Sequence, residues 1–168
     1  LLNSTNGQTS AYSDNWNNTS PTSSVFSVGS SSSTGGANGN NMIAYCFAEK
    51  KGYSKFGSYK GNANANGTFV YTGFKPAFIL LKDYTSQSNW YIFDSKRLGY
   101  NVDNNGVRPN TNGAEATDDD LDILSNGFKL RGSGNDVNKN NATFLYMAFA
   151  EEPLVANVGA NGIPNTAR

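Results

Sequence analysis

No histidine occurs in this chain of 168 residues, and it has one cysteine, two methionines and five prolines. Without histidine, the commonest general base and metal-ligating side chain is missing. A single cysteine, Cys46, excludes an internal disulfide, and its setting between Ile43 and Phe47 reads as that of a small buried hydrophobe. Charge is scarce: 15% of residues are charged, against about a quarter in ordinary domains. The 13 basic and 13 acidic residues cancel, and no Lys/Arg stripe is present, so the footprint of a nucleic-acid binder is missing. No apolar run approaches the ~20 residues of a membrane-spanning helix. No signal peptide is visible either, but a start at Leu1 reads as a fragment or a processed product, so that absence decides little.

Asn, Ser, Thr and Gly supply the polarity that charge does not, a style of solubility found in extracellular and virion β proteins. The length suits one domain, whose core would bury roughly two-thirds of the unfolded chain's surface. At its centre lie two apolar runs, Phe78-Ile79-Leu80-Leu81 and Trp90-Tyr91-Ile92-Phe93, joined by the polar residues 82–89. Each run is strand-length and rich in aromatic and branched residues, which predicts an antiparallel hairpin at the centre of a sheet.

Around that hairpin the pattern is of short strands and long loops. Residues 1–40 are polar, with isolated anchors at Trp16, Phe26 and Val28. Residues 42–49, MIAYCFAE, predict a strand buried on both faces, and residues 53–59 a weaker one. The run NANANG ends in Asn66-Gly67, the strongest short hairpin dipeptide. Pro76 stands where a strand start tolerates a missing N–H. Residues 101–120 and 133–141 read as loops; 121–124, 128–130 and 142–150 read as strands. Residues 152–168 read as an extended C-terminal arm, and no helix beyond two turns is expected. The fold class is therefore all-β, an antiparallel β-sandwich with long Asn/Gly/Ser loops.

The chain also echoes itself. An offset of 102 places Phe26 on Phe128, Val28 on Leu130, Ile43 on Leu145, and Phe47-Ala48-Glu49 on Phe149-Ala150-Glu151, without a gap. Residues 1–49 thus look like the tail half of a repeat of which 52–151 is a complete copy. Two arrangements follow: one complete sandwich with a half unit against it, or two tail halves closing one quasi-symmetric sandwich over residues 1–151. The second buries every apolar strand in a single core and is the one expected.

The blocks IAYCFAEKKGYSKFGSY, GTFVYTGFKPAFILLK, NWYIFD, LSNGFKLRG, YMAFAE and NGIPNTAR resemble a repeated domain of structural proteins of marine tailed bacteriophages. The likeness runs almost continuously over residues 26–168. It implies a jelly-roll or concanavalin-like, laminin-G-like sandwich, a place in a virion fibre, appendage or capsid-surface decoration, and a structural or host-contact role without enzyme activity. It also implies partners: other copies of the chain, other virion proteins, and in the alternative reading a host-surface glycan bound by a lectin-like module.

Two groups of residues are candidate sites. Asp118, Asp119, Asp120 and Asp122 form an oxygen-rich cluster that suits Ca²⁺, although the spacing is not that of an EF-hand. The competing reading is an acidic strand edge that discourages edge-to-edge pairing. Tyr100 with Asn101 and Asp103 could stack on a sugar ring and fix its hydroxyls; Trp16, Tyr84 and Trp90 are further aromatic platforms, Trp90 reading better as core. A glycosidase needs two carboxylates on one cleft, and spacing alone does not bring Asp83, Asp94 or Glu115 together. The Asn-x-Ser/Thr patterns at Asn3, Asn17, Asn18, Asn66 and Asn141 read as accidents of composition.

Overall fold

The computed structural model describes residues 4–7, 14–32, 34, 41–101, 104–117 and 120–152, and the backbone of 154–155 and 164–165. The chain divides into two compact units, one of residues 9–47 and one of residues 1–8 with 48–168.

The larger unit is a sandwich of two antiparallel sheets. In chain order its strands are β1 (Ser54–Lys60), β2 (Phe69–Tyr71), β3 (Pro76–Asp83), β4 (Trp90–Asp94), β5 (Asn105–Val107), β6 (Ala116–Thr117), β7 (Leu121–Leu124), β8 (Gly127–Leu130) and β9 (Thr143–Ala150). One helical turn, α1 (Asn135–Asn138), precedes β9. The larger sheet runs β1-β9-β3-β4-β5-β6 and the smaller one β2-β8-β7. The central hairpin forms as expected: β3 pairs with β4 from Phe78↔Asp94 to Lys82↔Trp90. On its other edge β3 pairs with β9, the last strand of the sandwich, which sits between β1 and β3 and so brings the sandwich's first and last strands together.

The pleat assigns the faces. Ile79 and Leu81 of β3, Tyr91 and Phe93 of β4, and Phe144, Tyr146 and Ala148 of β9 are buried toward the smaller sheet, which answers with Leu121, Ile123, Phe128 and Leu130. Phe128 holds the layers together, meeting Tyr59 edge-on at 6.0 Å and Tyr146 at 5.7 Å. Tyr59 stacks on its cross-strand partner Phe144 at 5.1 Å. Each such side chain contributes about 1.5–3 kcal/mol by leaving water. Gly106 of β5 is small because the rings of Tyr91 and Phe93 occupy the place of a Cβ, the nearest ring atom lying 2.9 Å from it.

Among the described residues all the buried hydrophobic side chains lie between Tyr59 and Ala148. The sandwich of the larger unit therefore closes on a core of its own. Residues 42–49 do not make the expected strand: 42–47 are exposed and irregular, and the segment ends in one bridge, Lys50↔Ser54. A strand forms only where another accepts its backbone groups, and β9 already fills the place between β1 and β3. Cys46 is accordingly exposed, not buried. In the smaller unit Trp16 meets Phe26 edge-on at 6.4 Å, and a turn closes with Thr22 N–H donating to Val25 O at 2.8 Å.

Two further expectations change. The Asn66-Gly67 signal does not close a hairpin, since the strands it joins, β1 and β2, lie in different sheets. Asx turns, with Asn62 and Asn64 accepting from the N–H groups of Asn64 and Asn66, carry the chain across the layers instead. Residues 101–120, read as loop, contain β5 and β6, which extend the larger sheet beyond β4. Most of 152–168 lies outside the described residues; what is described beyond Glu152 is a two-stranded ladder of β10 (Leu154–Val155) and β11 (Pro164–Asn165). No helix among the described residues is long and apolar enough to cross a membrane.

Candidate functional site

The start of β4, the residue after β5, Asp120 and the segment around α1 meet in a cleft of about 580 Å³, lined by Tyr91, Arg108, Asp120, residues 132–135, Asp136 and Val137. Tyr91 forms part of it because the start of β4 lies beside the end of β5, with Ile92 paired to Val107, and Arg108 follows β5 immediately. The Arg108 guanidinium lies over the Tyr91 ring, 4.8 Å from its centroid, and donates to the Tyr91 hydroxyl. Its Nε lies 3.8 Å from Asp136 Oδ2.

Asp136, in the single turn of α1, ties the cleft to the β3–β4 loop. It accepts hydrogen bonds from Ser88 Oγ at 2.8 Å, Asn89 N–H at 3.2 Å and Asn89 Nδ2 at 3.1 Å. Burial pushes its carboxyl up, but those bonds and the Arg108 charge outweigh burial and hold it below the usual carboxylate range. Burial pushes the Tyr91 phenol up to about 12 against the opposing pull of Arg108. Asn110 ties β4 to the same loop, accepting from Trp90 N–H at 2.9 Å and donating to Asn89 Oδ1 at 2.9 Å.

Behind this cleft the β3–β4 loop is fixed by two buried charges. Lys82 Nζ donates to the carbonyls of Asp83 (2.8 Å), Ser88 (3.1 Å) and Thr5 (3.1 Å), and burial pushes its ammonium below the ordinary lysine value. Asp83, fully buried, accepts from Thr85 N–H (2.8 Å) and Oγ1 (2.7 Å) and from Ser86 N–H (3.1 Å) and Oγ (2.5 Å). Burial alone would raise its carboxyl; these four donors lower it instead. Both residues therefore shape a loop rather than face a ligand.

The acidic run does not converge in what is described. Asp118 and Asp119 lie outside the described residues. Asp120 is buried and lines the cleft, its carbonyl accepting from Arg131 and Gly132 N–H groups. Asp122, on β7, pairs with Arg131 Nε at 2.5 Å. Among the described residues no group of three or more acidic or cysteine side chains could hold a metal ion.

The expected sugar contact is distributed differently. Asp103 lies outside the described residues. Tyr100 is 40% exposed, with Lys75 Nζ 5.1 Å from its ring centroid and its hydroxyl 3.5 Å from Ile123 O. The Asn101 side chain is engaged with the backbone of β7 and with Asn104. Trp90 is half-buried and donates through Nε1 to Ser4 O at 3.1 Å. Asp94 and Glu115 both meet Arg97, at 3.0 and 2.5 Å, whereas Asp83 is sealed in its loop.

Arg108 and Asp136, which dominate the cleft, are not singled out by the sequence reading. One signal was available: Arg108 is the only basic residue in the stretch 101–120. Asp136 carries no such mark, since its partners Ser88 and Asn89 lie more than forty positions away. A family model described as a domain of unknown function, DUF7483, matches residues 1–153 of the chain. No curated protein and no solved structure matches it.

Proposed function

The chain belongs to the DUF7483 family of domains of unknown function, and we propose that it is a non-enzymatic structural component of a bacteriophage particle. It acts by assembly, in a fibre, an appendage or a decoration of the capsid surface, alongside further copies and other virion proteins.

One observation carries this reading. The face of the larger sheet turned away from the core is apolar too. On it Leu80 of β3 lies between Met147 of β9 and Ile92 of β4, Ile92 lies beside Val107 of β5, and Phe78 lies beside Phe149. An antiparallel sheet that faces only water alternates apolar with polar residues. This one carries apolar, half-buried residues on its outer side as well, and an apolar outer face suits contact with a partner.

Immunogold labelling of gradient-purified particles tests the reading: regular decoration at one location supports it, and unlabelled particles contradict it. The alternative, a lectin-like module for a host-surface glycan, draws on the cleft, where Asp120 and Asp136 flank an arginine stacked on a tyrosine. A glycan array separates the two, because the lectin reading requires binding that is lost on Arg108→Ala.

A further inference from the structure

We propose that residues 42–49 are a strand of the β9 type, held ready to complete a second sandwich by inserting between the β1-type and β3-type strands of another unit of this family. The inference deepens the assembly reading by naming its joint. A chain missing from particles could still make this joint, so the two readings fail separately.

The starting point is the echo at an offset of 102, which lays residues 26–51 on 128–153 without a gap. The structure adds an independent correspondence. Thr22 N–H closes a turn onto Val25 O at 2.8 Å, and at the same offset Leu124 pairs with Gly127 to close the β7–β8 hairpin. The tail of the repeat thus keeps its turn in the smaller unit, although the strands that would follow it are not formed there.

What those strands need can be read from β9. It is flanked on both edges, by β1 from Ser54↔Phe149 to Lys60↔Thr143 and by β3 from Pro76↔Ala150 to Asp83↔Phe144. Phe144, Tyr146 and Ala148 point into the core. The offset maps Met42, Ala44 and Cys46 onto these inward positions and Ile43 and Tyr45 onto the outward ones. In the chain as it stands Met42 is 51%, Ile43 80% and Tyr45 81% exposed. Among the described residues no strand pairs with 42–47.

This segment has the sequence of a central strand and the surroundings of a loop. The occupant is set by the resemblance to β9: a β-strand pair of the Ser54–Lys60 and Pro76–Asp83 kind whose middle place is open. Cys46 reports the event. It is exposed here, and it maps onto Ala148, which is fully buried.

The test co-expresses the full chain with a tagged copy that ends at Asn141 and carries Ile43→Asp and Cys46→Ser. That copy offers β1 and β3 without β9, and its own segment is out of play. The full chain is expected to be retained on the tag, with Cys46 alkylated about 100-fold more slowly than in the free chain. Cys46→Asp in the full chain is expected to abolish retention. No retention, or retention with Cys46 as reactive as in the free chain, overturns the proposal.

A second variant needs no shortened partner. In the full chain with Cys46→Ser, the exchange Phe144→Met, Leu145→Ile, Tyr146→Ala, Met147→Tyr and Ala148→Cys writes the segment into the β9 position. Cooperative unfolding with a protected thiol at position 148 is expected. A thiol there that reacts as fast as Cys46 does in the original chain overturns the proposal.

Discussion

The side-chain amide of Asn101 stands in for a neighbouring strand beside Ile123: its Nδ2 donates to Ile123 O at 2.8 Å, and its Oδ1 accepts from Ile123 N–H at 2.8 Å. Because β7 is the outer strand of the smaller sheet, this amide closes an edge that would otherwise be open. Asn101 reaches it from a left-handed conformation, φ +54°, which asparagine tolerates better than most residues. Asn101→Ala is expected to lower stability by about 2 kcal/mol, seen as a lower denaturant midpoint at unchanged m-value. Asn101→Asp removes the donor alone and should fall between alanine and the native chain. An unchanged midpoint in both variants would show that the pair is incidental.

Asn138 is a second amide of this kind, fully buried. Its Nδ2 contacts Asn62 Oδ1, Asn64 O and Gly132 O at 2.8–3.1 Å, and its Oδ1 accepts from Asn62 N–H at 2.9 Å. It joins the β1–β2 crossover to the loop before α1. Asn138→Leu leaves those groups without partners and is expected to cost about 3 kcal/mol. Thermal unfolding followed by circular dichroism measures it.

Acid should weaken the fold through Asp83. Its folded carboxyl lies below the ordinary value, so the carboxylate is favoured by folding. That contribution is complete above the unfolded value of about 3.9, and is lost as pH falls through the lower folded value. Asp136 is shifted in the same direction and adds to the effect. The melting temperature of the native chain is therefore expected to fall more steeply below about pH 4 than that of Asp83→Asn. Parallel curves for the two proteins would contradict this assignment.

Phe128 links the sheets through Tyr59 and Tyr146. Phe128→Ala is expected to destabilise the sandwich by about 3–5 kcal/mol, whereas Phe26→Ala, at the echoed position in the smaller unit, should cost far less because Phe26 is 43% exposed. Equal losses for the two variants would mean that the smaller unit has a core of its own.

How far the fold is legible in the sequence depends on where each strand's stabilisation comes from. Phe78–Leu81, Trp90–Phe93 and residues 142–150 are legible because their own side chains are apolar on both faces. The strands β5 and β6 are not: Asn-Gly-Val and Ala-Thr have little to bury, and only backbone bonding to β4 and to each other makes them strands. Residues 42–49 show the reverse case, a strand sequence without strand neighbours. The cleft was illegible for a related reason, since Arg108, Asp136 and Asn89 meet only after the sheets have closed. The two described members of the acidic run, Asp120 and Asp122, are separated by one residue, yet one lines the cleft and the other pairs with Arg131.

Quantitative mass spectrometry of gradient-purified phage particles puts the assembly reading to its most direct test. The expected result is that peptides of this chain are present in a fixed ratio to the major capsid protein, unchanged through a high-salt wash. Peptides found in the lysate but missing from the particles would contradict it.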